Sequence, residues 1–323
     1  MVQPAFRSRS MTQNLPSPAK PLNIGTRGSP LALAQAFETR ARLVAAFDLP
    51  HDAFAIVVIK VTGDMIQDRA LKDIGGKGLF TREIEEALLD GSIDIAVHSM
   101  KDMPVLQPDG LTLDTYLPRE DVRDAFVSLS HDRITELSAN ATVGTSSLRR
   151  RAQLLARRPD LNIVEFRGNV QTRLKKLGDG VAEATFLAMA GLNRLGMDDV
   201  KRTAIEVEEM LPAIAQGAIG IERRLDDNRI ADMLAAIHDT PTGQRLAAER
   251  AFLAALDGSC ETPIGGLADL DGGTLRLRGE ILRTDGSEVL NDDATALIED
   301  GAELGRDMAA KLLKIAGPGF LHG

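Results

Sequence analysis

Apolar runs and amphipathic stretches alternate along this chain, and the same order occurs twice. Leu22–Gly25 reads as a short strand. Pro30 then marks a helix start, and Leu31, Leu33, Ala34, Phe37, Ala41, Val44 and Phe47 fit one helical face. Phe54–Val61 is a near-continuous apolar run, the kind buried on both faces of a parallel sheet. Phe80, Ile84 and Leu88 mark a second helix that Gly91 stops, and Ile93–Val97 is the next buried strand. Further on, Ala141–Gly144, Leu161–Phe166 and Thr185–Ala188 read as strands around helices at Ser146–Arg158 and Val170–Leu177. Strand–helix–strand repeated in this way predicts an α/β chain with two doubly wound units. Pro212–Glu222 reads as a Gly-rich crossing segment. A helix near Asn228–His238 follows it, and Thr240–Gly323 predicts a small α+β domain, with helices near Thr242–Leu256 and Ala302–Ile315 and strands at Thr274–Leu282 and Glu288–Leu290.

The two units open alike. Ile24-Gly25-Thr26-Arg27-Gly28-Ser29 and Val143-Gly144-Thr145-Ser146-Ser147-Leu148 each run from strand through Gly-Thr and small polar residues into a helix. Such a turn aims backbone N–H groups and the positive end of a helix dipole at one point, which suits an anion.

Composition narrows the partners. Hydrophobic content of 44% and charged content of 26% are those of an ordinary globular chain, and no run of 18 apolar residues predicts a membrane span. Aromatics make up 3%, with no Trp, which leaves few stacking platforms for single-stranded nucleic acid. The net charge is −9, yet residues 143–176 carry nine Arg or Lys against two acids. A basic island in an acidic chain predicts an anionic ligand; for Arg157 and Arg158 a solvated helix face is the simpler reading. Residues 1–21 carry Arg7, Arg9 and Lys20 and no acid, and read as a disordered extension without a secretory h-region.

Cys260 is the only cysteine, in Gly258-Ser259-Cys260-Glu261-Thr262-Pro263-Ile264-Gly265. One thiol makes no intramolecular disulfide and no multi-thiolate metal site, and fits a reducing cytosol. It is either a buried structural cysteine or a thiol kept for covalent chemistry; the turn-like neighbours favour the second. Gly75-Gly76-Lys77-Gly78 lacks P-loop spacing and is either a glycine loop carrying one cation or a plain turn. The five histidines show no ligand spacing, so no metal is expected. Val97-His98-Ser99-Met100-Lys101-Asp102-Met103-Pro104 follows a buried strand, where open α/β sheets bind ligands. There Asp102 is the candidate acid/base and Lys101 a carboxylate clamp. Arg149, Arg150, Arg167 and Arg173 stand at strand ends or first helical turns of the second unit, and Arg forks match carboxylates.

These residues resemble the hydroxymethylbilane synthase (porphobilinogen deaminase) family. The resemblance runs from about Leu22 to near the C-terminus. It is carried by Gly-Thr-Arg-Gly-Ser-Pro-Leu-Ala-Leu-Ala-Gln (25–35), Gly-Gly-Lys-Gly-Leu-Phe (75–80), Asp-Ile-Ala-Val-His-Ser-Met-Lys-Asp-Met-Pro (94–104), Val-Gly-Thr-Ser-Ser-Leu-Arg-Arg (143–150), Arg-Gly-Asn-Val-Gln-Thr-Arg (167–173), Leu-Pro-Ala-Ile-Ala-Gln-Gly-Ala-Ile-Gly-Ile-Glu (211–222) and the Cys260 segment. It implies two periplasmic-binding-protein-like lobes, residues 22–117 with 218–235 and residues 123–211, plus a cofactor-carrying α+β domain at 240–323. It implies a covalent dipyrromethane cofactor on Cys260 through a thioether. Asp102 would be catalytic; Arg149, Arg150, Lys101, Ser99, Thr145, Ser146 and Arg173 would hold the cofactor. Arg27, Ser29, Arg167, Arg194, Gln216 and Lys77 would hold the substrate. The implied reaction joins four porphobilinogens head to tail with loss of ammonia, then releases hydroxymethylbilane by hydrolysis. A cytoplasmic monomer is expected, with neither nucleic acid nor membrane as partner. Asp73, where many relatives place Lys, departs from the pattern of the glycine loop. The competing reading is a carboxylate-binding protein of periplasmic-binding-protein type without catalysis, which would have no use for Cys260 or Asp102.

Overall fold

The structure, a computed structural model, describes residues 15–62, 81–259 and 262–322. Cys260, Lys77 with its glycine loop, and residues 1–14 lie outside the described residues. Within the segment expected to be disordered, Ser17 and Lys20 instead close a small turn through paired backbone hydrogen bonds of 3.1 and 2.9 Å.

The first lobe contains β1 (Leu22–Arg27), α1 (Pro30–Phe47), β2 (Phe54–Ile59), α2 (Arg82–Leu89), β3 (Ile95–Ser99) and β4 (Leu111–Tyr116). The chain then crosses to β5 (Asp124–Ser128), β6 (Thr142–Gly144), α3 (Leu148–Arg157), β7 (Asn162–Val164), α4 (Val170–Gly178), β8 (Ala184–Ala188), α5 (Met189–Arg194) and β9 (Thr203–Ala204). It returns through β10 (Ile219–Arg224) and α6 (Asn228–Ala235). The last domain comprises α7 (Thr240–Ala255), β11 (Ile264–Asp271), β12 (Thr274–Leu282), β13 (Val289–Leu297) and α8 (Gly301–Ala316).

The two lobes share one topology. Their sheets run β2-β1-β3-β10-β4 and β7-β6-β8-β5-β9. In each, the first three strands are parallel and the fourth, arriving from the other lobe, is antiparallel to both neighbours. The repeat expected from the two Gly-Thr turns is therefore a repeat of whole sheets. Ser29 and Ser147 cap the helices after those turns, accepting from Ala32 N at 3.3 Å and Arg150 N at 3.4 Å.

Local pattern failed at β2, α1 and β13: β2, expected to be buried on both faces, is the edge strand of its sheet and exposes Val58. The buried stripe of α1 is Gln35, Ala36, Thr39 and Leu43, while Phe37 and Ala41 are exposed. The helix is apolar nearly all round, so its period does not select a face. Phe37 lies outside beneath the Arg40 guanidinium, 5.0 Å from its ring. The strand expected at Glu288–Leu290 extends to Leu297, since pairing with β12 along its full length overrides weak propensities in Asn-Asp-Asp-Ala-Thr.

The segments joining the lobes are pinned to each other: Glu120 N donates to Gly217 O at 3.2 Å and Leu117 N to Ile219 O at 3.1 Å. Gly217 has φ +86, and a Cβ there would stand 2.4 Å from Glu120 O, so only glycine fits. Helix α7 clamps both segments. Its Glu249, fully buried, accepts from Arg119 Nη1 (2.6 Å) and Nη2 (3.0 Å), Ala215 N (2.7 Å) and Ala268 N (2.9 Å). Glu249→Ala leaves a buried guanidinium and two amides unpaired, and is expected to destabilise the protein by roughly 3–5 kcal/mol. Denaturant midpoints with and without the substitution check this; a difference below about 1 kcal/mol would show that the clamp does not hold the hinge.

Candidate active site

Burial of β3 brings Ser99 and Asp102 to the wall of a cavity that is open to solvent. Asp102, Ser99, Arg27 and Ser29, four of the residues expected at the site, line it together, joined by Gln35, Thr81 and His98. Gln35 Nε2 donates to Ser99 Oγ at 2.8 Å. The Asp102 side is anchored from the third domain, where Arg250 Nη2 donates to Pro104 O (2.8 Å) and Val105 O (2.9 Å). Asp102 is exposed and makes no ion pair with another described residue.

The second lobe supplies cations. Arg149 and Arg150 are buried and share Asp124: Arg149 Nη1 lies 2.8 Å from Oδ2, and Arg150 Nη2 lies 2.6 Å from Oδ1. Burial pushes the Asp124 carboxyl up, but the two guanidiniums outweigh it and hold the group well below the usual carboxylate range. Gln216 Nε2 also reaches Asp124 Oδ1 at 3.0 Å. Burial lowers Lys101 to about 8, Arg150 and Arg173 add repulsion, and Asp102 and Asp124 oppose it. Burial and Arg150 together lower Arg173 to about 10, again against Asp102. Turns that are distant in sequence thus share one electrostatic environment across the lobes. Desolvated positive charge exceeds the carboxylates present.

Several buried polar atoms still lack a partner among the described residues. Arg149 Nε and Arg167 Nη1 are buried without hydrogen bonds, as is Gln216 Oε1. Unpaired buried guanidinium N–H groups fit a ligand carrying carboxylates. The flank of the Cys260 loop meets the same cluster. Arg149 Nη1 donates to Gln153 Oε1 at 2.9 Å, and Gln153 Nε2 to Glu280 Oε1 at 2.7 Å. A Cβ on Gly265 would stand 3.3 Å from that Nε2. The loop itself is closed by Ser259 N donating to Thr262 Oγ1 at 3.0 Å.

Other expected residues are engaged in the fold. Thr145 Oγ1 accepts from Ser147 N (3.2 Å) and Ser146 Oγ from Phe166 N (3.0 Å), which shapes the turn before α3. Arg194 reaches Glu38 Oε2 at 3.2 Å and Gly217 O at 3.0 Å, so it bridges the lobes at the hinge. Arg158, expected on a solvated face, instead binds Asp160 and the carbonyls of Ile134 and Leu137, because its helix ends against that loop. Arg157 is exposed as expected. Gln35, Asp124, His98 and Arg250 were not legible as site residues. Gln35 carried one signal, a polar residue four positions after Leu31 within the apolar first half of α1. No group of metal-ligating side chains occurs among the described residues, and no described helix is long and apolar enough to cross a membrane.

Two α/β lobes, a cationic cleft carrying the exposed Asp102 carboxylate, and a third domain abutting the cleft define a two-lobed protein with a cleft suited to ligands that bear several carboxylates. Residues 22–232 match the family model "Porphobilinogen deaminase, dipyromethane cofactor binding domain", and residues 244–314 match "Porphobilinogen deaminase, C-terminal domain". The chain belongs to the porphobilinogen deaminase family. It is 68% identical over 302 residues to the porphobilinogen deaminase of Paracoccus denitrificans, covering 94% of this chain and 96% of that one. It is 54% identical over 297 residues to that of Nitrobacter winogradskyi, covering 92% and 94%. Among solved structures it is similar to the Bordetella pertussis BvgS periplasmic VFT2 domain, with 14% identity, TM-score 0.42, and coverage of 77% of this chain and 99% of that one. An arginine-specific periplasmic binding protein of Salmonella typhimurium gives 13% identity, TM-score 0.39, and coverage of 67% and 91%. Scores of this size add nothing to the fold, which rests on the strand orders.

Proposed function

We propose that the chain carries out the family's transferase reaction in tetrapyrrole biosynthesis, joining four porphobilinogens head to tail with loss of four ammonia and releasing hydroxymethylbilane by hydrolysis. The observation that carries this reading is the convergence of Asp102 and Lys101 from one lobe with Arg150 and Arg173 from the other, with Arg149 beside Arg150 on Asp124 and the buried Arg149 Nε left unpaired. Each porphobilinogen brings an acetate and a propionate, so a growing chain accumulates the charge that this cluster lacks.

The dipyrromethane, held by a thioether at Cys260, supplies the primer on which the chain grows. Arg149 and Arg150 hold its carboxylates beside the loop flank at Gly265, with Lys101, Arg173, Ser99, Thr145 and Ser146 completing that end. Arg27, Ser29, Arg167, Arg194, Gln216 and Lys77 receive substrate and chain. Asp102 stabilises the positive charge that develops as the amine departs and takes the proton released when the new carbon–carbon bond forms. A single thiol kept for alkylation supports a cytoplasmic setting.

Intact mass tests the reading. Purified protein is expected to weigh the chain plus two pyrrole units, and Cys260→Ser to weigh the bare chain. A parent mass equal to the bare chain, even after incubation with porphobilinogen, overturns it.

A further inference from the structure

Beneath the cavity lies a titratable cluster that the mechanism above leaves unused. His98 stands on β3, four residues before Asp102, and lines the same cavity. Sheet register pairs His98 with Gly220 and Ala96 with Glu222, which places the imidazole and the carboxylate as diagonal neighbours on one face. His98 Nε2 meets Glu222 Oε2 at 3.0 Å, with the histidine 6% and the glutamate 0% exposed. Glu222 Oε1 is buried without a hydrogen-bond partner. Glu85 of α2 faces the pair, and burial, with the Glu222 charge adding to it, pushes its carboxyl up. Among the described residues, Nδ1 of His98 has no hydrogen-bond partner, while His98 borders the space that holds Asp102 and Arg27. The charged groups facing His98 are therefore Glu222 from β10, Glu85 from α2, Arg27 across the cavity, and Asp102 with Lys101 from the turn.

We propose that His98 is a catalytic proton carrier, giving a proton to the ammonia that leaves the substrate, with Glu222 as the residue that positions its ring. This rests on the reaction proposed above. The carbon–nitrogen bond breaks with both electrons on nitrogen, and the ammonia takes the imidazolium proton to leave as ammonium. The new carbon–carbon bond expels one proton from the attacked carbon of the growing chain, Asp102 accepts it, and it returns to the imidazole. One substrate ammonium enters and one ammonium leaves per addition, so no further reactant is needed. A buried carboxylate fixing one ring nitrogen leaves the other free to exchange with the cavity.

The test is ammonia release from porphobilinogen by the cofactor-loaded enzyme between pH 6 and 9. His98→Gln is expected to lower kcat roughly 100-fold at unchanged KM and unchanged cofactor occupancy. Glu222→Gln keeps the imidazole but weakens the contact that aims it, and is expected to lower kcat by a smaller factor at unchanged KM. Parent-like kcat in His98→Gln or in Glu222→Gln, or a loss that tracks cofactor occupancy or KM, overturns the assignment. A parent enzyme that releases no ammonia instead overturns the reaction itself, so the two failures are distinct.

Discussion

Asp102→Asn lowers kcat by roughly 100- to 10,000-fold, about 3–5 kcal/mol of barrier, while cofactor occupancy and the unfolding midpoint stay at their parent values. The size of the effect follows from what the side chain faces. Asp102 is exposed to the cavity and holds no described partner in an ion pair, so the fold does not depend on its charge. Lys101 and Arg173 feel that charge, however, and without it each loses part of the attraction that offsets its desolvation. Asn keeps the volume but neither takes a proton nor offsets the positive charge of the departing-amine step. Cations held for the carboxylates of the chain would then face a developing cation unopposed. KM is expected to change little, because the carboxylate contacts come from arginines. Intact mass shows occupancy, a denaturation curve shows the fold, and steady-state ammonia release shows the rate. A rate within tenfold of the parent would remove Asp102 from the chemistry.

The part of the site that could be read from the sequence is the part built locally. The turn after β3, the Ser caps of α1 and α3, and the arginines of residues 149–173 each sit where strand–helix alternation places them. What escaped depends on partners far apart in the chain. Asp124 gains its role only when β5 crosses into the second sheet and meets Arg149 and Arg150, 25 and 26 residues later. His98 and Glu222 lie 124 residues apart and become neighbours through an antiparallel pairing that the glycines of the crossing segment concealed. β10 is the clearest case. Ile-Gly-Ile-Glu-Arg-Arg has only two alternating isoleucines and no apolar run, yet it occupies an inner position of the sheet, with one oxygen of its acid held by a histidine. Arg119–Glu249 has the same origin: a buried ion pair carries no local periodicity, so pattern alone cannot reveal it.

Asp124→Asn is expected to destabilise the protein by roughly 3–5 kcal/mol at neutral pH. The carboxylate is fully buried and neutralises two guanidiniums, while Gln216 fills a further position on it. Removing its charge leaves Arg149 and Arg150 enclosed beside Lys101 and Arg173 with little to offset four cations. Asn can keep one hydrogen bond but no compensation. The pH dependence follows from the direction of the shift. Arg149 and Arg150 hold the folded-state carboxyl below its unfolded value of about 3.9, so its stabilisation is fully present above that pH and is lost as pH falls further. The parent midpoint should therefore drop steeply below about pH 4, and the Asp124→Asn midpoint should drop less because the titrating group is gone. Denaturant midpoints from pH 7 to pH 3 for both proteins measure this. Parallel curves, or a neutral-pH difference under about 1 kcal/mol, would mean that the arginines are neutralised by something other than Asp124. The same substitution separates two uses of the arginines. If Asp124 only balances charge, bound cofactor carboxylates replace part of it and the loaded protein loses less stability than the unloaded one. If Asp124 instead aims the guanidinium forks, occupancy itself falls, and the intact mass shows a bare chain alongside the loaded one.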